Sequence, residues 1–488
     1  MSDQIDSNNL KQKTAQGLFW GILSSGGMQL LNLVIGIFLA RMLTPGEYGI
    51  VGLLAIFTLI AGNLQDSGFG VALINIKHIK HNDYNSVFWF NIGVSFLLYA
   101  LLFCCAPLIA SFYHQPCLTA LSRFVFLGFI FSALGIVPNA VLTRSLRVKE
   151  KAIVSLVSLL VSGTVAVVMA YNGFSYWSLA VQQVLYNVMI CGGRYFCARW
   201  IPSLHIDFTP AMGMFKFSYK VLITMVLTSL NNNVLTVIFG RLFSTQDVGN
   251  YVQANKWSTM ANQLVSNTMA QVAQPVLARI NDERERQRRV FGKMLRFTAF
   301  ISFPGLFGLA LVAPQLILIA IGEQWEQSIP LLQILCVSSA FLPLYTIYQN
   351  LFLSKGKSDI YMWLNLVQIV LVIAVVLACR PLGFTAMVSA FAATNILWLV
   401  VWQYFVSRLI GYGFMSMLGD ILPFMCISLL VMVVTFFSTR SIDNIYTLLA
   451  VRVVMAILFY ALAMRLSGAK IYQECVGYLS DLWRRKLQ

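Results

Sequence analysis

Apolar runs of roughly bilayer length, separated by short polar interruptions, recur along almost the whole chain. Runs such as 88–112 and 361–379 approach or reach the roughly 20 residues a helix needs to cross a bilayer. The pattern predicts fourteen such segments, at 17–40, 49–74, 86–111, 121–142, 151–171, 176–198, 217–240, 250–275, 295–321, 330–353, 360–379, 383–406, 417–438 and 445–466. Backbone amides in hydrocarbon must be satisfied internally, so runs of this length read as helices.

Polar positions inside these runs carry the next level of information, because lipid penalises them. On the eighth segment Gln253, Lys256, Gln263, Asn267, Gln271 and Gln274, with Met260 between, recur in steps of three and four. That spacing draws one stripe along a helix. The second segment offers Asn63, Asp66, Ser67 and Gly70, the first Ser25, Gln29, Asn32 and Gly36, and the seventh Ser229, Asn232 and Thr236. Four amide-rich faces are therefore expected to turn inward onto a hydrated path. Amides both donate and accept, which suits sugar hydroxyls.

Composition agrees with the pattern. The chain has 488 residues, 58% hydrophobic and 11% charged, with mean hydropathy +0.75, against about 25% charged in soluble domains. The class is an all-α integral membrane protein. The net charge of +16 raises nucleic acid as a partner, but its distribution excludes that. With the N-terminus inside, only Arg41, Arg241, Arg380 and Arg440 fall in outer loops. Arg123, Lys256 and Arg452 lie in or at the edge of helices, and the remaining 27 of 34 Lys and Arg fall inside. This is the positive-inside asymmetry, and it puts both termini in the cytoplasm. The basic stretch 279–296 reads as an inside loop or as a helix lying along the anionic leaflet. The opening polar stretch lacks a cleavable signal, and the cysteines, mostly inside apolar runs and without CxxC spacing, read as small hydrophobes rather than metal ligands.

The chain also repeats itself. ARMLTPGEYG at 40–49 matches GRLFSTQDVG at 240–249, aligning Arg41 with Arg241, Glu47 with Asp247 and Gly49 with Gly249 at an offset of 200. Asn32 aligns with Asn232. Farther on, APL at 106–108 resembles APQ at 313–315, and GF at 173–174 matches GF at 383–384, so the offset drifts to about 210. Helices 1–6 are expected to recur as helices 7–12, giving lobes 1–205 and 206–410 followed by two extra helices and a cytoplasmic tail in 411–488. An even number of helices per repeat implies a pseudo-two-fold axis along the membrane normal. Each decapeptide then forms an outer turn, where Arg41 and Glu47, and Arg241 and Asp247, pair, cap a helix or contact a gate.

The stretch LARMLTPGEYGIVGLLAIF, with DSGFGVALI at 66–74, resembles the polysaccharide transporter family. It belongs to the multidrug, oligosaccharidyl-lipid and polysaccharide exporter superfamily and includes Wzx-type flippases. The resemblance implies a fourteen-helix fold and translocation of undecaprenyl-pyrophosphate-linked oligosaccharide across the bacterial inner membrane, for lipopolysaccharide, capsule or exopolysaccharide. It implies no enzymatic step and no cofactor beyond a proton or sodium ion for coupling. Besides membrane lipid, a polysaccharide polymerase and glycosyltransferases are the expected partners. Two departures count against sister activities: the first helix lacks the arginines of lipid II flippases and the acid of drug exporters.

A pyrophosphate needs cations. Lys256, Arg123 and Arg452 are the candidates, each against a structural alternative: a buried pair or snorkelling for Lys256, interfacial water for Arg123, and Asp443 or a lipid headgroup for Arg452. Asp66 is the acid well inside a predicted helix; it pairs with Lys256 or titrates to couple transport. A membrane glycosyltransferase or polymerase would need a sizeable outer loop with paired acids, and only Glu323 and Glu326 offer such a pair. A small-molecule exporter or lipid II flippase on the same fold remains the alternative.

Overall fold

The turn after residue 42 shows how this chain changes helices. Thr44 has extended backbone, Pro45 occupies the first helical position, where its missing N–H costs nothing, and Glu47 closes a capping box. The computed structural model describes residues 7–66, 73, 79–204, 207–208, 229–230, 233–469, 471–474 and 477. Side chains are described for Trp20 and from residue 24 onward, apart from 64–66 and 358. The described residues form helices and connecting turns, with no strand among them.

The chain divides into two units, Met1–Gly249 and Asn250–Gln488. The first holds α1 (Ser7–Met42), α2 (Pro45–Gly52), α3 (Ala55–Asp66), α4 (His81–Tyr113), α5 (Leu118–Leu134), α6 (Ile136–Arg144), α7 (Val148–Tyr171) and α8 (Trp177–Ala198). It also holds α9 (Asn233–Leu242) and the first turn of α10 (Thr245–Arg279). On α7, Ser158, Ser162, Ala166 and Ala170 stand four apart and are all buried. A small-residue row of that spacing lets helices approach closely. A methyl added at the neighbouring Gly163 would lie 2.2 Å from Ile35 Cδ1 of α1.

The second unit continues α10 and adds α11 (Arg284–Ala320), α12 (Ser328–Ser339), α13 (Leu342–Ser354), α14 (Ser358–Ala378), α15 (Phe384–Ile410), α16 (Phe414–Ser438) and α17 (Ile445–Leu466). Its core is aromatic. Trp402 is fully buried against Phe352, Tyr345 and Tyr361 at ring separations of 5.5, 6.2 and 6.2 Å.

The repeat reaches into the irregularities. A broken helix, α5/α6, spans 118–144 with its break at Gly135, and a second, α12/α13, spans 328–354 with its break at Ala340–Phe341. Both ends shift by the same 210 residues.

Eleven helical segments are long and apolar enough to cross a membrane among the described residues. The fourteen expected spans are consistent with that number. The sixth, α8, and the eighth, α10, are absent because they are polar, and most of the seventh lies outside the described residues. Of the two readings of the basic segment 279–296, the loop fails from Arg284 onward, where the chain is helical and runs unbroken into α11.

Candidate functional site

The turns at 44–47 and 244–247 are built alike. Thr44 N–H donates to Glu47 Oε2 at 2.6 Å, and Glu47 N–H donates back to Thr44 Oγ1 at 3.4 Å. Ser244 N–H donates to Asp247 Oδ2 at 3.2 Å, and Asp247 N–H to Ser244 Oγ at 3.2 Å. Within the first unit these turns meet reciprocally. A Cβ added at Gly49 would sit 1.8 Å from the Thr245 carbonyl oxygen, and one at Gly249 would sit 1.7 Å from that of Pro45. Residue 49 meets 245 while 249 meets 45, which is the signature of a local two-fold axis. Glu47 also accepts from the Ser175 hydroxyl, tying α2 to the turn between α7 and α8. Arg241 donates from Nη1 to His114 Nδ1 at 2.6 Å and lies over Phe112. Arg41 is exposed at the end of α1.

The amides along α10 are graded in exposure. Gln253 is 1% exposed and its Oε1 has no partner. Lys256 is half-buried, whereas Gln263, Asn267, Gln271 and Gln274 are exposed. None of these four amides, nor Lys256, has a hydrogen-bond or ion-pair partner among the described residues. The opposite face carries the buried Ala254, Ser258, Met269, Ala273 and Leu277. A helix so divided packs on one side and leaves a row of donors and acceptors free on the other. On α1, Gln29 and Asn32 are half-buried and likewise unbonded. Asn63 Nδ2 donates to Ser229 Oγ at 2.7 Å, joining two of the expected polar faces. Asn232 and the side chain of Asp66 lie outside the described residues.

With this geometry in hand, the chain can be set beside known proteins. The family model described as polysaccharide biosynthesis protein matches residues 38–330, more than half of the 488. The chain belongs to this polysaccharide biosynthesis protein family. It is 25% identical to the lipopolysaccharide biosynthesis protein WzxC of Escherichia coli (strain K12) over 82% of this chain and 81% of that one. It is 24% identical to the succinoglycan biosynthesis transport protein ExoT of Rhizobium meliloti (strain 1021), covering 83% and 80% respectively. In fold it resembles the lipid II flippase MurJ in an inward closed conformation, with a TM-score of 0.77 at 14% identity over 94% of this chain and all of that one. It also resembles an inward-facing multidrug resistance transporter of the MATE family, with a TM-score of 0.63 at 16% identity over 78% of this chain and 95% of that one.

Within this family member, the other two cations sit differently from Lys256. Arg123, half-buried on α5, lies over the Phe103 ring of α4 at 4.2 Å, with its Nε unpartnered. Arg452 is 6% exposed on α17. It donates to Thr439 Oγ1 at 3.2 Å, to the Leu311 carbonyl at 3.3 Å and to Gln315 Oε1 at 2.9 Å. The expected alternative partner, Asp443, is not among these. It precedes the N-cap Asn444, about 13 Å along the axis at 1.5 Å per residue, beyond the reach of an arginine. Sequence reasoning also missed an apolar groove of about 560 Å³ between α11 and α17, lined by Phe300, Pro304, Gly308, Ala456 and Tyr460 with Arg452 in its wall. The periodicity held no signal for it, because groove and lipid-facing surface are equally apolar.

Proposed function

We propose that this multi-pass membrane protein is a flippase that carries lipid-linked oligosaccharide repeat units across the bacterial inner membrane for surface or secreted polysaccharide. The observation that carries this reading is the open amide row of α10 in a chain of a polysaccharide biosynthesis family. An oligosaccharide crossing hydrocarbon loses hydrogen bonds to water, and each bare hydroxyl is costly to desolvate. The amides of Gln263, Asn267, Gln271 and Gln274 offer replacements, and Lys256 offers a point charge for the pyrophosphate. Gln29 and Asn32 extend the polar lining, Asp66 serves as the coupling acid, and the apolar groove beside Arg452 suits a prenyl chain. No covalent step is needed.

The test is transport in proteoliposomes. A fluorescent prenyl-pyrophosphate oligosaccharide should move between leaflets faster with protein than without, and a cationic dye should not. Faster movement of the dye alone would make this chain a drug exporter on the same fold.

A further inference from the structure

Two cations of the first unit, Arg194 and Lys151, have no counter-ion among the described residues. Arg194 lies one turn before the end of α8, and its guanidinium reaches the break between α5 and α6. Its Nη1 is 3.5 Å from where a side chain at Gly135 would begin. Lys151, in the first turn of α7, donates from Nζ to the Thr143 hydroxyl of α6 at 2.7 Å. That hydroxyl in turn donates to the Asn139 carbonyl at 2.7 Å. Both side chains are half-buried, and Arg194 is a like-charged neighbour of Lys151. Among the described residues, Arg194 has neither an ion-pair nor a hydrogen-bond partner. The nearby acid, Glu150, is held by Arg147 at 3.3 Å.

The second unit shows that the fold does not require this charge. The offset of 210 that relates the broken helices carries Lys151 onto Tyr361 and Arg194 onto Tyr404. There, Tyr361 packs on Trp402 and Tyr404 lies under the single cation Arg408 at 4.9 Å, so rings occupy the two positions that are cationic in the first unit. Two like charges partly removed from water raise the free energy of the unliganded state. A polyanion between them reverses that, since Arg forks onto phosphate oxygens and Lys adds a compact charge. Arg144 and Lys149 nearby add to the positive potential that holds anionic headgroups at an inner leaflet.

We propose that Lys151 and Arg194 form a binding site for a phosphate or pyrophosphate group borne by a lipid of the inner leaflet. Two bearers share this chemistry, a prenyl pyrophosphate and a bulk anionic phospholipid. Only the choice of the first rests on the flippase reading.

Thermal unfolding of the full-length protein in phosphate-free maltoside detergent tests the site. Geranylgeranyl pyrophosphate should raise the Tm of the wild type, and geranylgeraniol should not. Arg194→Gln and Lys151→Gln should each weaken the pyrophosphate response about tenfold or more, as loss of a charge-assisted hydrogen bond does. Without ligand, both variants should be at least as stable as the wild type, because a repulsion has been removed. Lys151→Gln alone decides the matter if Arg194→Gln does not fold. An equal response to dioleoylphosphatidylglycerol, lost in the same variants, would make bulk phospholipid the bearer and keep the site. No response in the wild type, or an undiminished one in both variants, overturns it. A response lost only in Lys256→Ala would also overturn it, while leaving the flippase reading intact.

Discussion

Gly49 and Gly249 are the residues whose identity the structure constrains most tightly. Each faces a backbone carbonyl at a distance no Cβ tolerates, and a carbonyl in a helix cannot swing aside as a side chain can. Gly49→Ala and Gly249→Ala should therefore each cost about 1–3 kcal/mol, the usual range for overpacking, read as a lowered Tm in detergent. Because both act at one crossing, the double variant should lose less than the sum of the singles. Strict additivity would mean that the two turns do not meet. Lys256 makes the complementary case, since its ammonium has no hydrogen-bond or ion-pair partner among the described residues. Lys256→Ala should leave expression and Tm near wild type and reduce transport of the prenyl-pyrophosphate sugar several-fold. Transport at the wild-type rate would remove Lys256 from the path.

Few of the described helices start at a side-chain cap, as those after Thr44, Ser244 and Asn444 do, and that decides how much could be read in advance. The turns at 44–47 and 244–247 were legible because Thr or Ser three residues before an acid is a capping box wherever it occurs. Thr44→Ala and Ser244→Ala should each lower stability by about 1 kcal/mol, and Ser in place of Thr44 should restore it. The amide stripe was legible too, since steps of three and four survive folding unchanged, but its grading was not. Whether Gln253 is buried while Gln263 is open depends on what packs against α10, and no periodicity records that. Each break has a local mark beside it, Gly52 before Leu53–Leu54, Gly135 within α5/α6 and Pro343 just after Ala340–Phe341, but single glycines and prolines recur in unbroken helices too, so none of them pointed to a break. Arg452 was misjudged for a related reason. Asp443 is near in sequence, whereas Gln315 and Leu311, its observed partners, lie on a different helix.

Charge sets the direction of the whole molecule in the membrane, and direction decides what a flippase can do. The connection at 355–357 carries Lys355 and Lys357, the last turn of α15 carries Arg408, and the start of α11 carries Arg284, Arg286, Arg288 and Arg289. The turns at 380–383 and 439–444 carry only Arg380 and Arg440. Moving the basic ends across a bilayer would oppose the membrane potential by about 2.3 kcal/mol per charge per 100 mV, so the basic side is predicted to stay in. Alkaline phosphatase fused after Ile442 should therefore be active, since it folds outside, and inactive when fused after Gly356. A fluorescent protein that matures only in the cytoplasm should show the reverse. Opposite results at both positions would invert the chain and place the Lys151–Arg194 pair on the outer face. An inner-leaflet lipid could not reach it there, whatever its affinity in detergent. Agreement would put the unpaired cations on the side where lipid-linked sugars are assembled from nucleotide-activated precursors. It would also point the exposed end of the α10 amide row, from Gln263 to Gln274, toward the same compartment, because α10 would then run inward from its cap at Ser244 to Arg279. A headgroup arriving from the cytoplasm would then meet the open amides before the buried Gln253, and that order follows from the helix direction alone.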